Sequence, residues 1–349
     1  MESASKLPST RVVFFGTPLF AVPALDALVA ARANIVGVVT QPEKPAGRGH
    51  GMRASAVARR TIELGLPLFT PKGLKKEENR KFLCDLRPDL LVVTAYGKIL
   101  PKEVLDLPTH GAVNIHASLL PTYRGAAPIL AAILAGNTET GVTIIKLDEG
   151  MDTGPILAQE SVPIDPHDTT ATLAGKLSAA GARVLVPTLE RYLSGALFPT
   201  PQNHAQATSC PLLKKEDGRI DWKKPASEIA RMIRAYEPWP RVYTIWKKKR
   251  LIIRNAAARE GTSATPGRAV RDAEGISVMT GSGSLLLEIV QIEDRKPLAV
   301  EVFVQGYPDF IGSTLGEETP PAVPDVREVR LRKRGSKGDR GSTRSPSPE

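Results

Sequence analysis

Asn114, His116 and Asp152 are the side chains whose types and spacing could do chemistry together. Asn114 and His116 stand two apart in Gly111-Ala112-Val113-Asn114-Ile115-His116, a short apolar run that reads as a strand. Residues two apart on a strand share a face. Ser118-Leu119-Leu120-Pro121 follows, and the residue before a proline is pushed out of the helical region, so the chain turns there. Asp152 lies in Asp148-Glu149-Gly150-Met151-Asp152-Thr153-Gly154, a Gly-flanked loop after a second strand at 143–147. Such a loop bends readily around a ligand. An amide, an imidazole and a carboxylate brought together suit acyl transfer to an amine. The imidazolium and the amide can donate hydrogen bonds to a developing oxyanion. The carboxylate can keep the imidazole charged and help take a proton from the attacking amine. The amine is itself the nucleophile, so no activated Ser or Cys is required. The plainer reading is two polar groups satisfied near a strand end. The strand spacing and the two motifs that follow weigh against it.

The surrounding elements must deliver these ends. Residues 11–15, 35–39 and 90–94 are apolar runs of buried-strand character, while 20–31 and 55–64 have helical spacing. Strands alternating with helices predict a Rossmann-like α/β fold, an open parallel-rich sheet covered on both faces. Ligands of such sheets bind beyond the carboxyl ends of the strands. Gly16, residues 95–97 and His116 all fall at ends of that kind. Helical character returns at 170–192. Phe198-Pro199-Thr200-Pro201-Gln202 then breaks the chain and reads as an interdomain linker. After it, a helix at 227–235 and β-rich runs at 242–246, 251–253 and 285–290 predict a small barrel-like β domain. The expected division is an N-terminal extension (1–10), a catalytic domain (11–198), a linker (199–213), a β domain (214–316) and a tail (317–349). The tail is rich in Pro, Arg and Ser with few large apolar groups, and is expected to be disordered.

The 349 residues, 42% of them hydrophobic, suit two domains with a sizeable core. The formal net charge is +10, and eight Lys or Arg against three acidic residues from 327 to 349 place +5 of it in the tail. A basic surface attracts polyanions. Cys84 and Cys210 lie far apart and offer neither a disulfide framework nor a metal site, so no metal is expected. No stretch has the apolar length of a signal-peptide core or a membrane span. A cytoplasmic protein without membrane contact, and a monomer, is expected.

The pattern Asn-x-His-x-Ser-Leu-Leu-Pro followed by Asp-x-Gly resembles that of the folate-dependent formyltransferases. Further matches run from about Arg11 to about Gly316. They include Phe15-Gly16-Thr17-Pro18, Thr40-Gln41-Pro42, Pro45-Ala46-Gly47-Arg48-Gly49, Ala95-Tyr96-Gly97-Lys98-Ile99-Leu100-Pro101, Tyr123-Arg124-Gly125-Ala126-Ala127-Pro128, Thr140-Gly141-Val142-Thr143-Ile144, Gly218-Arg219-Ile220-Asp221-Trp222 and Pro238-Trp239-Pro240. Within that superfamily the chain is most similar to the members that act on methionyl-initiator tRNA. The resemblance implies transfer of the formyl group of 10-formyltetrahydrofolate to the α-amine of that tRNA's methionine. It implies Asn114 and His116 as oxyanion donors, with Asp152 holding His116 and assisting proton removal. It places the folate against Tyr96, Gly97, Ile99 and Leu100 on one side and Ser118, Leu119, Leu120 and Pro121 on the other. It makes the β domain an OB-like barrel that contacts tRNA.

Two basic segments are candidates for tRNA phosphates. Lys44, Arg48 and Arg53 lie among glycines, a composition equally suited to a flexible surface loop or to a basic finger on the acceptor stem. The resemblance favours the finger, although His50, Gly51 and Met52 stand where the family often has lysines. Lys247, Lys248, Lys249 and Arg250 follow Trp246; alone they read as a solvated hairpin turn, and in a tRNA-binding chain as a phosphate contact. Gly16-Thr17-Pro18 could cradle a phosphate, but it lacks GxGxxG, so no dinucleotide is expected. Leu19 stands where the family commonly has an acidic residue. His110, His167 and His204 show no partner spacing. Two rivals remain. One is a formyltransferase or hydrolase acting on a small amine or water, which the basic loop opposes. The other is a non-catalytic RNA-binding protein, which the intact trio opposes.

Overall fold

A computed structural model describes residues 5–46, 51–261 and 265–316. The chain opens with β1 (Arg11–Gly16), α1 (Val22–Ala30) and β2 (Asn34–Val39). A hairpin of β3 (Lys44–Ala46) and β4 (Gly51–Arg53) precedes α2 (Ala56–Glu63) and β5 (Leu68–Phe69). Then come α3 (Lys81–Leu86), β6 (Leu90–Thr94), α4 (Lys102–Leu105) and β7 (Ala112–His116). They are followed by β8 (Arg124–Gly125), α5 (Pro128–Ala135), β9 (Glu139–Lys146), β10 (Ile156–Pro163) and α6 (Thr170–Ser194). The seven-stranded sheet runs β10-β9-β7-β6-β1-β2-β5. The five strands from β7 to β5 are mutually parallel, whereas β9 is antiparallel to β7, and β10 to β9. The expected parallel-rich sheet therefore carries an antiparallel edge next to the strand of Asn114 and His116.

Local chemistry explains the main boundaries. The Ser55 hydroxyl accepts the Ala58 N–H at 2.9 Å and so caps α2. Thr169 and Thr172 form a reciprocal capping box that starts α6. Gly195 ends α6 in the left-handed conformation, with φ of 81°. Val113 and Ile115 face the α6 side of the sheet with Leu185 and Leu189. Gly181 lets α6 approach closely, since a Cβ there would lie 2.8 Å from an Ile115 methyl. Ala112 packs on the opposite side with Leu100 and Val104, and strand alternation turns Asn114 and His116 to that same side. The segment before β1 is anchored as well, because Leu7 and Thr10 are buried and Leu7 joins the core cluster of β1.

The second half contains β11 (Ser209–Cys210), α7 (Ala226–Ala235), β12 (Val242–Trp246), β13 (Lys249–Arg259) and β14 (Ala269–Asp272). It continues through β15 (Gly275–Met279), β16 (Ser284–Ile292), β17 (Leu298–Ala299) and α8 (Val300–Gly306). The antiparallel path is β12-β13-β16-β15-β14, with β17 on β16. The chain after α8 joins the two ends of this path. Gly312 N–H donates to Ala269 O at 2.7 Å, Leu315 N–H to Gly267 O at 2.9 Å, and Gly316 N–H to Ile245 O at 2.9 Å. That closure gives the barrel-like form read from the sequence. Inside it, Trp246 meets Phe303, Tyr307 and Phe310 edge-on at centroid distances of 5.5–5.7 Å.

One apolar core crosses from the first half to the second. It joins Leu130 and Ile133 of α5 and Leu173 and Leu177 of α6 to Ile229, Met232 and Ile233 of α7. Each such side chain contributes about 1.5–3 kcal/mol when fully buried. Polar contacts fix the orientation: Arg231 Nε donates to Leu134 O at 3.1 Å, and Arg234 Nη1 to Asp168 O at 2.9 Å.

Candidate active site

His116 is 5% exposed. Its Nε2 lies 2.9 Å from Tyr123 O. A carbonyl only accepts, so Nε2 carries the hydrogen in that bond. Nδ1 faces Asp152 Oδ2 at 3.5 Å. That exceeds a good N–H···O bond, so when both ring nitrogens carry hydrogen the Nδ1–H is left able to donate to a substrate oxygen placed beside the carboxylate. Asp152 is steadied separately, since its Oδ2 accepts Gly125 N–H at 2.9 Å. Asp152 itself sits in the left-handed region at φ 54°, a conformation that aspartate tolerates better than most residues. Asn114, half-buried on the same strand face, has no hydrogen-bond partner for its side chain among the described residues. The structure thus joins imidazole and carboxylate directly and leaves a free amide two residues away on β7.

The two expected folate walls are held differently. Tyr96 is 1% exposed, packs edge-on against Phe15, and presents its carbonyl to Thr17 Oγ1 at 2.9 Å and Gln41 Nε2 at 2.7 Å. Burial pushes its phenol up to about 12, so the ring supports the turn from beneath. Gly97 and Ile99 are exposed and Leu100 is buried. The loop around Asp152 reaches this turn, because Glu149 pairs with Lys102 at 3.1 Å. Ser118 is fully buried, its hydroxyl bonded to Thr122 O at 2.6 Å. Leu120 N–H donates to Thr143 Oγ1 at 3.0 Å and Leu120 O accepts Gln159 Nε2 at 2.8 Å. Leu120 is buried, and Leu119 and Pro121 are partly exposed. Residues 118–121 therefore lean on β9 and β10, and no hydrogen bond joins them to residues 96–100 among the described residues. The tie between the loop from Asp148 to Gly154 and the start of α4 is a contact that sequence reasoning did not assign. The Lys102–Glu149 pair is non-local and has no motif of its own.

Comparisons with known proteins identify the family. Residues 10–189 match the family described as formyl transferase, and residues 212–308 match the formyl transferase C-terminal domain. A methionyl-tRNA formyltransferase of Roseiflexus castenholzii is 48% identical over 88% of this chain and 99% of its own length. This chain belongs to the formyl transferase family. A second relative in that family, the methionyl-tRNA formyltransferase of Chloroflexus aggregans, is 50% identical over 85% of this chain and 97% of its own length. Among solved structures, an N-formyltransferase from Helicobacter canadensis shares the fold, with a TM-score of 0.60 and 18% identity over 80% of this chain and 98% of its own.

Beyond the trio, this formyl transferase family member shows contacts that sequence reasoning missed. The segment read as a linker is pinned along its length. Thr200 bridges Ile156, β11 pairs with β8, and Gln202 is 6% exposed. His204, assigned no partner above, lies 3.2 Å from Arg124 Nη2 through Nδ1. Cys210 Sγ donates to Arg124 O at 3.2 Å, and burial pushes its thiol up. Both cysteines are free. Among the described residues no group of three or more His, Cys, Asp or Glu could hold a metal ion, and no helix is long and apolar enough to cross a membrane.

The basic segments divide. Lys247 and Lys248 form the tip of the β12–β13 hairpin, both left-handed at φ 49° and 63°, as a two-residue turn of this kind demands. Lys247 pairs with Asp309 and lies over Trp246. Arg250 stacks on Tyr243 at 4.5 Å with a side chain only 15% exposed. Lys249 is exposed. Lys44 opens the β3–β4 hairpin, which follows β2 at the sheet's carboxyl edge, and Arg53 is exposed at its end. Arg48 lies outside the described residues.

Proposed function

We propose that this chain transfers the formyl group of 10-formyltetrahydrofolate to the α-amine of methionyl-initiator tRNA in the cytoplasm. The observation that carries the reading is the His116–Asp152 pair beside an unpartnered Asn114 amide. It occurs in a chain that matches methionyl-tRNA formyltransferases over nearly their whole length. The amine nitrogen bonds to the formyl carbon, and the carbonyl electron pair moves to oxygen. Asn114 Nδ2 and His116 Nδ1 are the donors for that oxyanion. Tyr123 O holds the far side of the imidazole, so the ring need not reorganise. Collapse of the intermediate breaks the bond to the folate nitrogen. That nitrogen takes up a proton as the amine sheds one, and Asp152 is the carboxylate placed to pass it. The exposed turn at Gly97 and Ile99, facing the loop around Glu149, is the proposed folate wall. Lys44 and Arg53 of the β3–β4 hairpin, with Lys248 and Lys249 at the β12–β13 hairpin tip, are the proposed phosphate contacts, and Arg48 is proposed with them from the sequence alone.

The test is formyl transfer to charged initiator tRNA, with charged elongator tRNA in parallel. Asn114→Ala, His116→Ala and Asp152→Ala should each lower kcat by about 10²–10⁴-fold while the protein stays folded. Wild-type turnover by His116→Ala would overturn the mechanism, and equal use of both tRNAs would overturn the initiator assignment.

A further inference from the structure

The interdomain segment reaches the reacting groups through one side chain. Gln202 Nε2 donates to Asp152 O at 2.8 Å and to Gly154 O at 2.7 Å. Its Oε1 accepts Arg124 Nε at 3.1 Å and Nη2 at 2.7 Å. The amide thereby uses both donors and both acceptor positions. On one side it holds the left-handed backbone of Asp152. On the other it holds Arg124, whose neighbours Tyr123 and Gly125 supply the carbonyl on His116 Nε2 and the N–H on Asp152 Oδ2. The same strap ties this segment again, since Tyr123 N–H donates to Thr208 Oγ1 at 2.8 Å and Arg124 N–H to Thr208 O at 2.8 Å.

We propose that Gln202 is a positioning residue for the transfer reaction: it sets the separation of His116 and Asp152 by clamping the backbone of one and the flanking segment of the other. The proposal rests on the function read above. No other uncharged side chain of this length offers two donors and two acceptors, and Asn is one methylene too short to span both partners. The clamp lies outside the folate wall and the phosphate contacts, so it acts on the chemical step and not on substrate binding.

The test compares Gln202→Leu and Gln202→Glu with the wild type in steady-state formyl transfer. Gln202→Leu removes all four bonds. Gln202→Glu keeps the Arg124 contact but turns acceptors toward the Asp152 and Gly154 carbonyls. Both should lower kcat by roughly 10–100-fold, because small displacements of reacting groups are costly. KM for folate and for tRNA should change less than about threefold, the split expected when only transition-state geometry is lost. Glu should be no milder than Leu. In an Asp152→Asn background, Gln202→Leu should add little further loss, since both changes act through the same carboxylate. The proposal is overturned if the folded variants keep wild-type kcat, if the loss appears in KM alone, or if Glu restores activity. The last outcome would mean that the Arg124 contact is the whole effect. Asp152→Ala and His116→Ala run alongside separate the two ideas. If they are inactive while Gln202 variants are fully active, only the clamp fails; if they are active, the reading of the site fails.

Discussion

Gly125→Ala probes the His116–Asp152 pair through backbone geometry alone. Gly125 has φ of +110°, a region closed to residues with a Cβ except at a cost of about 1–3 kcal/mol. An added Cβ would lie 2.6 Å from Cys210 O, a backbone atom of the β8–β11 pair. Carbon–oxygen contacts settle near ~3.3 Å, so the strands must part by roughly 0.7 Å or the turn must rotate. Either movement carries away the N–H that Asp152 Oδ2 accepts at 2.9 Å, a bond to a charged group worth about 1.5–3 kcal/mol. The two effects overlap, so the expected destabilisation is roughly 2–4 kcal/mol, or about 3–6 °C in Tm at this chain length. A carboxylate displaced by several tenths of an ångström from the imidazole should lower kcat by about 10–100-fold. The assays are a thermal melt and single-turnover formyl transfer at saturating folate and tRNA. Gly175→Ala is the control. It lies inside α6 with nothing within 4 Å of an added Cβ. It should raise stability by about 0.5–1 kcal/mol and leave turnover alone. A Gly125→Ala protein with wild-type Tm and turnover would refute the link between this turn and the Asp152 carboxylate.

Other outcomes follow from features away from the reacting groups. At Asp168, burial pushes the carboxyl up, but bonds from Lys176, the Asp165 N–H and Thr172 together hold it below the usual range. Because the folded value is the lower one, Asp168 contributes stability above the unfolded pKa of about 3.9 and loses it as pH falls through the folded value. Asp168→Asn should therefore lower Tm at pH 7, with the gap to wild type closing below about pH 4; a pH-independent gap would contradict the ion-pair origin. Truncation after Gly316 should leave Tm unchanged, whereas truncation before Gly312 removes the bonds to Ala269, Gly267 and Ile245 that close the barrel and should unfold it, as circular dichroism would show. Lys249→Gln should flatten the salt dependence of tRNA binding without changing Tm. Arg250→Gln should lower Tm through loss of stacking on Tyr243, and an unchanged melt would return Arg250 to the set of phosphate contacts.

The sequence shows the reacting groups more readily than the groups that hold them, for a physical reason. Asn114 and His116 are legible because two-residue spacing on a strand is local geometry, and β6 and β12 are legible because continuous apolar runs announce burial. The direction of β9 is not legible, since an apolar run reads the same in parallel and antiparallel pairing. Arg250 misleads because a cation in a basic run looks solvated, while its stack on Tyr243 depends on β12–β13 register. Gln202 is hidden more deeply. It sits in a Pro-rich stretch with no period, and its partners lie 78 residues away at Arg124 and 50 at Asp152. A buried polar side chain of that kind is found only by asking where every donor and acceptor goes. Gly125 and Gln202 then hold the same residue, Asp152, one at its side-chain Oδ2 and one at its backbone carbonyl. If the Asp152 position is a single mechanical variable, the kcat losses of Gly125→Ala and Gln202→Leu must be less than multiplicative in the double variant. If the losses multiply, the two contacts control different things, and the strap must be acting on His116 through Tyr123 instead.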